Sequence, residues 1–561
     1  MMANAARDPV FWAGVAIAAQ DRVDTSETND CIRCHSPSAF LGGRGDAISP
    51  SELMPDDFNG ISCDLCHRAY EDMAVPAGNA RYVIDDVEAA PGEVAKRGPW
   101  VYEPGATPPH AVADGSHQAS SRLCGTCHDV TTPRERVDEN GTPLGMLFNE
   151  QRTYSEWTRS VFAVVGPDFR SCQDCHMPAV DDVAGCNTNS QDGLTHPTGA
   201  RRHDLVGANR FVLAILKDLY GSGGANEVYD VWFDLSMDRM DELLRTSATL
   251  EVVAPTAVDL SRGIDIWSVT VTNETGHKLP TGYSEGRIMW IEVVARYHGN
   301  TVYSSGQFDQ ILGIQQDEQL RTYVAIAEES STGAELHLLR NDRWVLDTRI
   351  PPRGLTQHIE TDPVGTRYVL QGDGTWPNSD THAYAFLPRD DVVDATPEDA
   401  SDDTLELSTR LLYLVNTPEY IEFLAAENRT NEAGNVVLEL FEARGGAVPV
   451  ELASWTASIP VTGLAMPVLD TTAGVDEDSS SSGTTEASSS GSSDTGHGST
   501  SETGTTSTQS SSSGTNTTDE GNTDSVGSQA CGCQADPVDG GRWTLCLVTT
   551  WLALRRRRGA L

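Results

Sequence analysis

Four five-residue stretches carry the chemistry of this chain: Cys31-Ile32-Arg33-Cys34-His35, Cys63-Asp64-Leu65-Cys66-His67, Cys124-Gly125-Thr126-Cys127-His128 and Cys172-Gln173-Asp174-Cys175-His176. Each reads Cys-x-x-Cys-His, the attachment pattern of a c-type haem. Two thiols three positions apart can reach the two vinyl groups of one porphyrin. The adjacent His can then ligate the iron from the proximal side. Paired Cys-x-x-Cys half-sites also build zinc ribbons, but zinc does not ask for a His directly after every pair. The expected cofactor is haem c, four per chain, bound through Cys31, Cys34, Cys63, Cys66, Cys124, Cys127, Cys172 and Cys175.

His35, His67, His128 and His176 would each fill one axial position. The second axial position decides the chemistry: a protein ligand there makes an electron carrier, and an open position admits a substrate. Four further histidines, His110, His117, His196 and His203, fall within or just after the motif-bearing segment. His117 lies seven residues before Cys124, two helical turns away. His203 sits in Arg201-Arg202-His203-Asp204, ahead of a helical patch. His277, in the loop Thr275-Gly276-His277-Lys278-Leu279-Pro280-Thr281-Gly282, is a fifth candidate, able to reach an iron if that loop lies against the haem segment. Met54, Met73 and Met177 are weaker thioether candidates. If one iron stays open, Arg201 and Arg202 are the nearest cations in sequence to line it.

The surrounding sequence must position these groups. Residues 7–247 form the expected tetrahaem domain, rich in Gly, Pro and short polar stretches, with haem standing in for apolar side chains. Asp8 to Asp21 reads as its first helix. Phe211 to Tyr220, stopped by Gly221, and Met237 to Ser247 read as capping helices. Residues 248–465 change to period-two alternation, as in Thr249–Val253, Asp265–Thr272, Met289–Tyr297, Tyr384–Leu387 and Val436–Leu440. Turn signals such as His298-Gly299-Asn300 separate them. Many short strands at this spacing predict a β-sandwich-like domain. Thr417-Pro418 should cap one helix, continuing through Tyr420 to Asn428. The expected fold class is a multidomain α+β protein: a haem-packed, mainly helical and irregular N-terminal domain, a β-sandwich-like domain and a disordered tail.

The tail has its own reading. Residues 466–530 are Ser, Thr, Gly and acid, too polar to bury a core, and predict a flexible stalk. Residues 531–561 hold Cys531-Gly532-Cys533, an apolar run from Trp543 to Leu554 and Arg555 to Arg558. Twelve residues of helix span about 18 Å, short of the roughly 30 Å of a bilayer core. That order resembles the C-terminal sorting tag of myxobacterial surface proteins, which implies cell-surface or membrane attachment.

The 561 residues suggest two to four domains, with 38% hydrophobic residues and 39 Lys+Arg against 82 Asp+Glu. So acidic a chain does not suit nucleic acid. It does suit a cationic redox partner, by electrostatic steering. Eight of 12 cysteines belong to the motifs, leaving Cys186, Cys531, Cys533 and Cys546 without an assigned role in haem binding. Haem attachment outside the cytoplasm implies export to the periplasm or outer surface. With Asp8–Asp21 read as a mature helix, the export signal is expected further upstream.

The four motifs join Cys175-His176-Met177-Pro178, His203 with Gly207-Ala208-Asn209, the Gly276-to-Gly282 loop and Asp347-Thr348-Arg349-Ile350-Pro351-Pro352-Arg353-Gly354. With them the chain resembles exported multihaem c-type cytochromes that carry a tetrahaem region and a C-terminal β domain. It is similar to the branch of cytochrome c554 and hydroxylamine oxidoreductase, whose stacked haems pass electrons. Four motifs, and no Cys-x-x-Cys-Lys, set it apart from the catalytic octahaem members. The resemblance implies electron transfer between donor and acceptor proteins. The alternative is a haem-dependent oxidoreductase whose one open iron acts on a small nitrogen, sulfur or oxygen species.

Overall fold

Each Cys-x-x-Cys-His stretch folds around a single turn of helix, which brings its two cysteines to one side. The computed structural model describes residues 2–99, 110–180, 183–184, 195–196, 200–221, 227–399 and 403–467. The expected stalk beyond Pro467, the tag and Cys186 lie outside the described residues.

Helix α1 (Pro9–Asp21) starts on Asp8, whose carboxylate accepts from the backbone N–H groups of Val10 and Phe11. The first motif lies on α2 (Asn29–His35) and the second on α3 (Cys63–Arg68). The third opens on α4 (Ser121–Gly125), where Cys127 and His128 both donate their backbone N–H to the Cys124 carbonyl. After α5 (Thr153–Thr158) comes the fourth motif, on α6 (Cys172–His176). Serines start three of these turns: Ser62, Ser120 and Ser171 accept from backbone N–H groups inside α3, α4 and α6. A serine oxygen satisfies an N–H the helix cannot, which lets so short a helix form. Two longer helices follow, α7 (Arg210–Tyr220), ending at Gly221 as expected, and α8 (Glu227–Arg245), which begins earlier than Met237. Among the short strands of this segment, β1 (Lys96–Gly98) pairs in parallel with β2 (Val112–Asp114).

The β region is built from β3 (Ala248–Val253), β4 (Ile264–Asn273), β5 (Arg287–Tyr297), β6 (Asn300–Ser305), β7 (Ser379–Phe386), β8 (Thr404–Val415) and β9 (Val450–Thr462). One antiparallel sheet runs β3–β4–β7 and the other β9–β8–β5–β6. The hairpin β5–β6 turns on His298 and Gly299, both with positive φ (45° and 78°). Two such residues make the tight turn whose twist matches paired strands. Trp267, Val269 and Val271 of β4, Met289, Ile291 and Val293 of β5, and Leu405 and Leu407 of β8 alternate onto one shared core. The protein is thus α+β, with a sandwich-like β region.

Val436–Leu440, read as a strand, is instead part of helix α10 (Ala433–Ala443), which follows α9 (Pro418–Ala426). Val437 and Phe441, four apart, are its buried apolar side chains, with Gly434 one turn before. The apolar run hides a helical period because Leu438 and Leu440 fall between them. Thr417 caps α9 as expected, accepting from the Tyr420 N–H.

The two regions interlock. Val10, Ala13 and Ile17 of α1 belong to the core of the β region. The Thr430 hydroxyl donates to the Ala16 carbonyl, and His337 meets Asp21 at 2.6 Å. Residues up to Met466 fall in one compact unit.

Candidate metal centres

The four motifs are not spread along the molecule. The Cys34 thiol lies within interaction range of that of Cys127, and the Cys124 thiol of that of Cys172. Cys66 lies near enough to Cys127 to feel its charge. The third motif therefore adjoins all the others. Burial pushes the Cys31 thiol up to about 12 and the Cys66 thiol up to about 11.

One turn ties three motifs together. The Gln118 side chain donates to the carbonyls of Cys66 and Ala69, at 2.7 Å each, just after the second motif's cysteines. The Gln173 amide of the fourth motif donates to the carbonyls of Gln118 and Ser120. Ser120 in turn caps the helix of the third. His117 begins this turn, is 8% exposed, and its Nδ1 has no hydrogen-bond partner.

Two motif histidines, His67 and His176, and three of the candidate partners share a second property. Nδ1 of His67 lies 2.7 Å from the Arg97 carbonyl on β1, and Nδ1 of His176 lies 2.9 Å from that of Val206. His203 reaches the Arg201 carbonyl at 3.1 Å, His277 that of Lys278 at 3.0 Å, and His110 that of Ala111 at 3.0 Å. A carbonyl can only accept, so Nδ1 carries the proton and Nε2 keeps its lone pair. That is the tautomer a metal-binding imidazole needs, and a carbonyl in this position is its usual support.

His67 and His203 face each other with ring centroids 6.1 Å apart and planes 31° from parallel. Two imidazoles sharing one ion at about 2 Å per bond, with about 1 Å more to each ring centre, stand about 6 Å apart. His277 lies within electrostatic reach of both His128 and His176. Burial brings His35, His128 and His277 down to about 4, so all three are neutral imidazoles at physiological pH. His128 is nonetheless solvent-accessible. A side chain that is both deep in the protein and open to solvent lines a cleft rather than a packed core.

Helix α5 and the His277 loop form one joint. A side chain at Gly125 would strike the Tyr154 ring at 2.4 Å, so α4 and α5 approach closely only because position 125 is glycine. The other end of α5 holds the loop: Glu156 accepts from the Lys278 N–H at 2.9 Å, and Thr153 and Thr281 hydroxyls meet at 2.9 Å. Lys278 is 1% exposed; its ammonium donates to Asp347 at 2.8 Å and to the carbonyls of Thr361 and Pro363. Asp347 also binds Arg349, and these two cations keep its carboxyl below the usual range against the pull of burial. Lys278, Asp347, Arg349 and Glu156 thus position His277. Sequence reasoning assigned them no such role, and charged residues inside an otherwise apolar or Pro-rich segment were the available signal.

Two candidates depart from expectation. Arg201 donates to the carbonyls of Gln173 and Met177 and pairs with Asp174, while Arg202 pairs with Asp204 at 3.0 Å. Both cations are spent on holding α6 and its neighbourhood rather than lining an open face. Met54 and Met73 are exposed on the surface. His196 pairs through its backbone with Val183, and its side chain lies outside the described residues.

Among the described residues no three His, Cys, Asp or Glu side chains converge to hold a metal ion by themselves. Thiols in pairs, imidazoles with free Nε2 and an accessible cleft instead fit a metal that arrives with its own equatorial ligands, as iron does in porphyrin. Among the described residues no helix is long and apolar enough to cross a membrane.

No family model matches this chain, and no curated protein matches it. Among solved structures, a penta-heme cytochrome c552 from Thermochromatium tepidum is similar at 16% identity and a TM-score of 0.41, over 76% of this chain and 83% of that one.

Proposed function

We propose that the chain is a multihaem c-type cytochrome that carries electrons through four covalently bound haems. The observation that carries this reading is the His67–His203 pair, 6.1 Å apart, each ring fixed by a carbonyl with Nε2 free. It supplies two axial imidazoles beside the second Cys-x-x-Cys-His turn, the ligation of a carrier rather than of a substrate-binding iron. His277 is proposed as a distal ligand beside His128 or His176, with His110, His117 and His196 as the remaining candidates.

Bound haem would supply the one-electron chemistry. The protein fixes the spacing of the sites and keeps the imidazoles of His35, His128 and His277 neutral. Donor and acceptor are expected to be redox proteins with a cationic face, drawn to the acidic surface. Export and attachment at the cell surface through residues 466–561 belong to the same proposal.

Purified exported protein should carry four haems in a pyridine haemochrome assay. Its reduced spectrum should be low-spin and indifferent to carbon monoxide. A large high-spin fraction that binds carbon monoxide would instead favour the oxidoreductase with one open iron. Colourless protein would overturn both readings.

A further inference from the structure

Glu150 is a buried carboxylic acid that the electron-carrying scheme does not use. It is 7% exposed, and its carboxylate makes no hydrogen bond or ion pair among the described residues. It stands close enough to Cys31 to raise that thiol's pKa. The backbone pairing of Val130 with Gln151 holds its segment against the residues that follow the third motif.

The titratable groups around it come from four stretches of chain. Arg152 lies on its own segment, Glu285 and Arg287 at the start of β5, Arg349 beyond the Lys278 joint, and Tyr420 on α9. The three guanidiniums have other partners. Arg152 binds Glu360 at 3.1 Å, Arg349 binds Asp347 at 2.7 Å, and Arg287 donates to the Thr281 carbonyl at 3.2 Å. Burial, with Glu285 close by, pushes the Glu150 carboxyl up to about 8.

A small cavity adjoins it. A cavity of about 10 Å³ is lined by Glu150, Arg152, Glu156, Arg349 and Glu360 among others. That is about the room of one water molecule, and the lining offers the several polar partners such a water needs. Glu156 Oε1, on the same cavity, is buried without a hydrogen-bond partner. Glu360, also in the lining, has a side chain 41% exposed.

We propose that Glu150 takes up one proton from solvent for each electron delivered to the haem on Cys31 and Cys34, and gives it back on reoxidation. The inference rests on the haem reading above. The electron comes from a reduced redox protein and takes iron from ferric to ferrous. The proton comes from water through the small cavity to a carboxylate oxygen, forming an O–H bond, so net charge near this haem is unchanged. Each event favours the other, since proton and electron binding are linked reciprocally.

Full-length, haem-loaded protein is titrated by spectroelectrochemistry from pH 6 to 10, wild type against Glu150→Gln. In wild type, one of the four midpoint potentials falls as pH rises. In E150Q that potential stays at its low-pH value, and the other three match wild type. Four haems with no pH-dependent potential, or a dependence unchanged in E150Q, overturns the proposal and leaves the haem reading standing. Fewer haems on the wild-type chain overturns the reading beneath it. If E150Q does not assemble, a reduced-minus-oxidised infrared difference spectrum of wild type decides. A protonated-carboxyl band gained on reduction supports the proposal, and its absence overturns it.

Discussion

The segment bearing the four motifs and the β region solve the same folding problem in opposite ways. The β region buries Trp267, Trp290, Tyr323 and Tyr384 almost completely between long strands. The motif-bearing segment has single-turn helices, two-residue strands and a separate core cluster of five buried residues, Trp12, Val15, Ile32, Ala39 and Ala47. Side chains alone give one region its interior. The other is arranged around thiols and imidazoles, and on the proposed reading covalently attached porphyrin would supply the apolar mass there. The contrast teaches that hydrophobic content is no guide to order when a cofactor is part of the core.

The largest expected effect tests that contrast directly. Cys124→Ser with Cys127→Ser removes the attachment at the motif that adjoins the other three. Hydrogen exchange should show residues 25–205 losing protection while β4, β5 and β8 keep theirs. Equal loss in both regions would break the comparison. Trp267→Ala makes the reverse cut, since that side chain is fully buried. It should cost about 3–5 kcal/mol of stability and leave the count of bound haems unchanged. Chemical denaturation and a haem assay check it.

Lys278→Ala leaves Asp347 buried beside a single remaining cation, Arg349. Breaking such a pair costs about 3–5 kcal/mol. It should also loosen the His277 loop, read as a change in the low-spin spectrum. An unchanged spectrum would separate this joint from the metal centres. The smallest effect is at Ser171, whose hydroxyl caps α6. Ser171→Ala should cost about 1 kcal/mol and be detectable as a small fall in melting temperature.

The motifs are legible because each keeps one fixed local spacing on a single helical turn. So are α1, α7 and α9, whose caps Asp8, Asn209 and Thr417 sit beside the apolar residues they start. Helix α10 was misread because five successive residues, Val436 to Leu440, satisfy a strand pattern until α1 and α9 select Val437 and Phe441. The long strands β8 and β9 passed unnoticed although Leu405 and Leu407 alternate at their start. What could not be read locally is the joint of Glu156, Lys278, Asp347 and Arg349, drawn from three distant stretches of chain. Its members find each other only after both regions have folded. The same distance hid the carbonyl partners of His67 and His176, each 30 residues away.

Because the third Cys-x-x-Cys-His turn touches the first and fourth and neighbours the second, the four haems would be wired as a star and not as a row. Charge entering at any outer terminal reaches either of the others through one shared junction. Such a circuit has no built-in direction. Which terminal serves as inlet would then be set by whichever partner docks there.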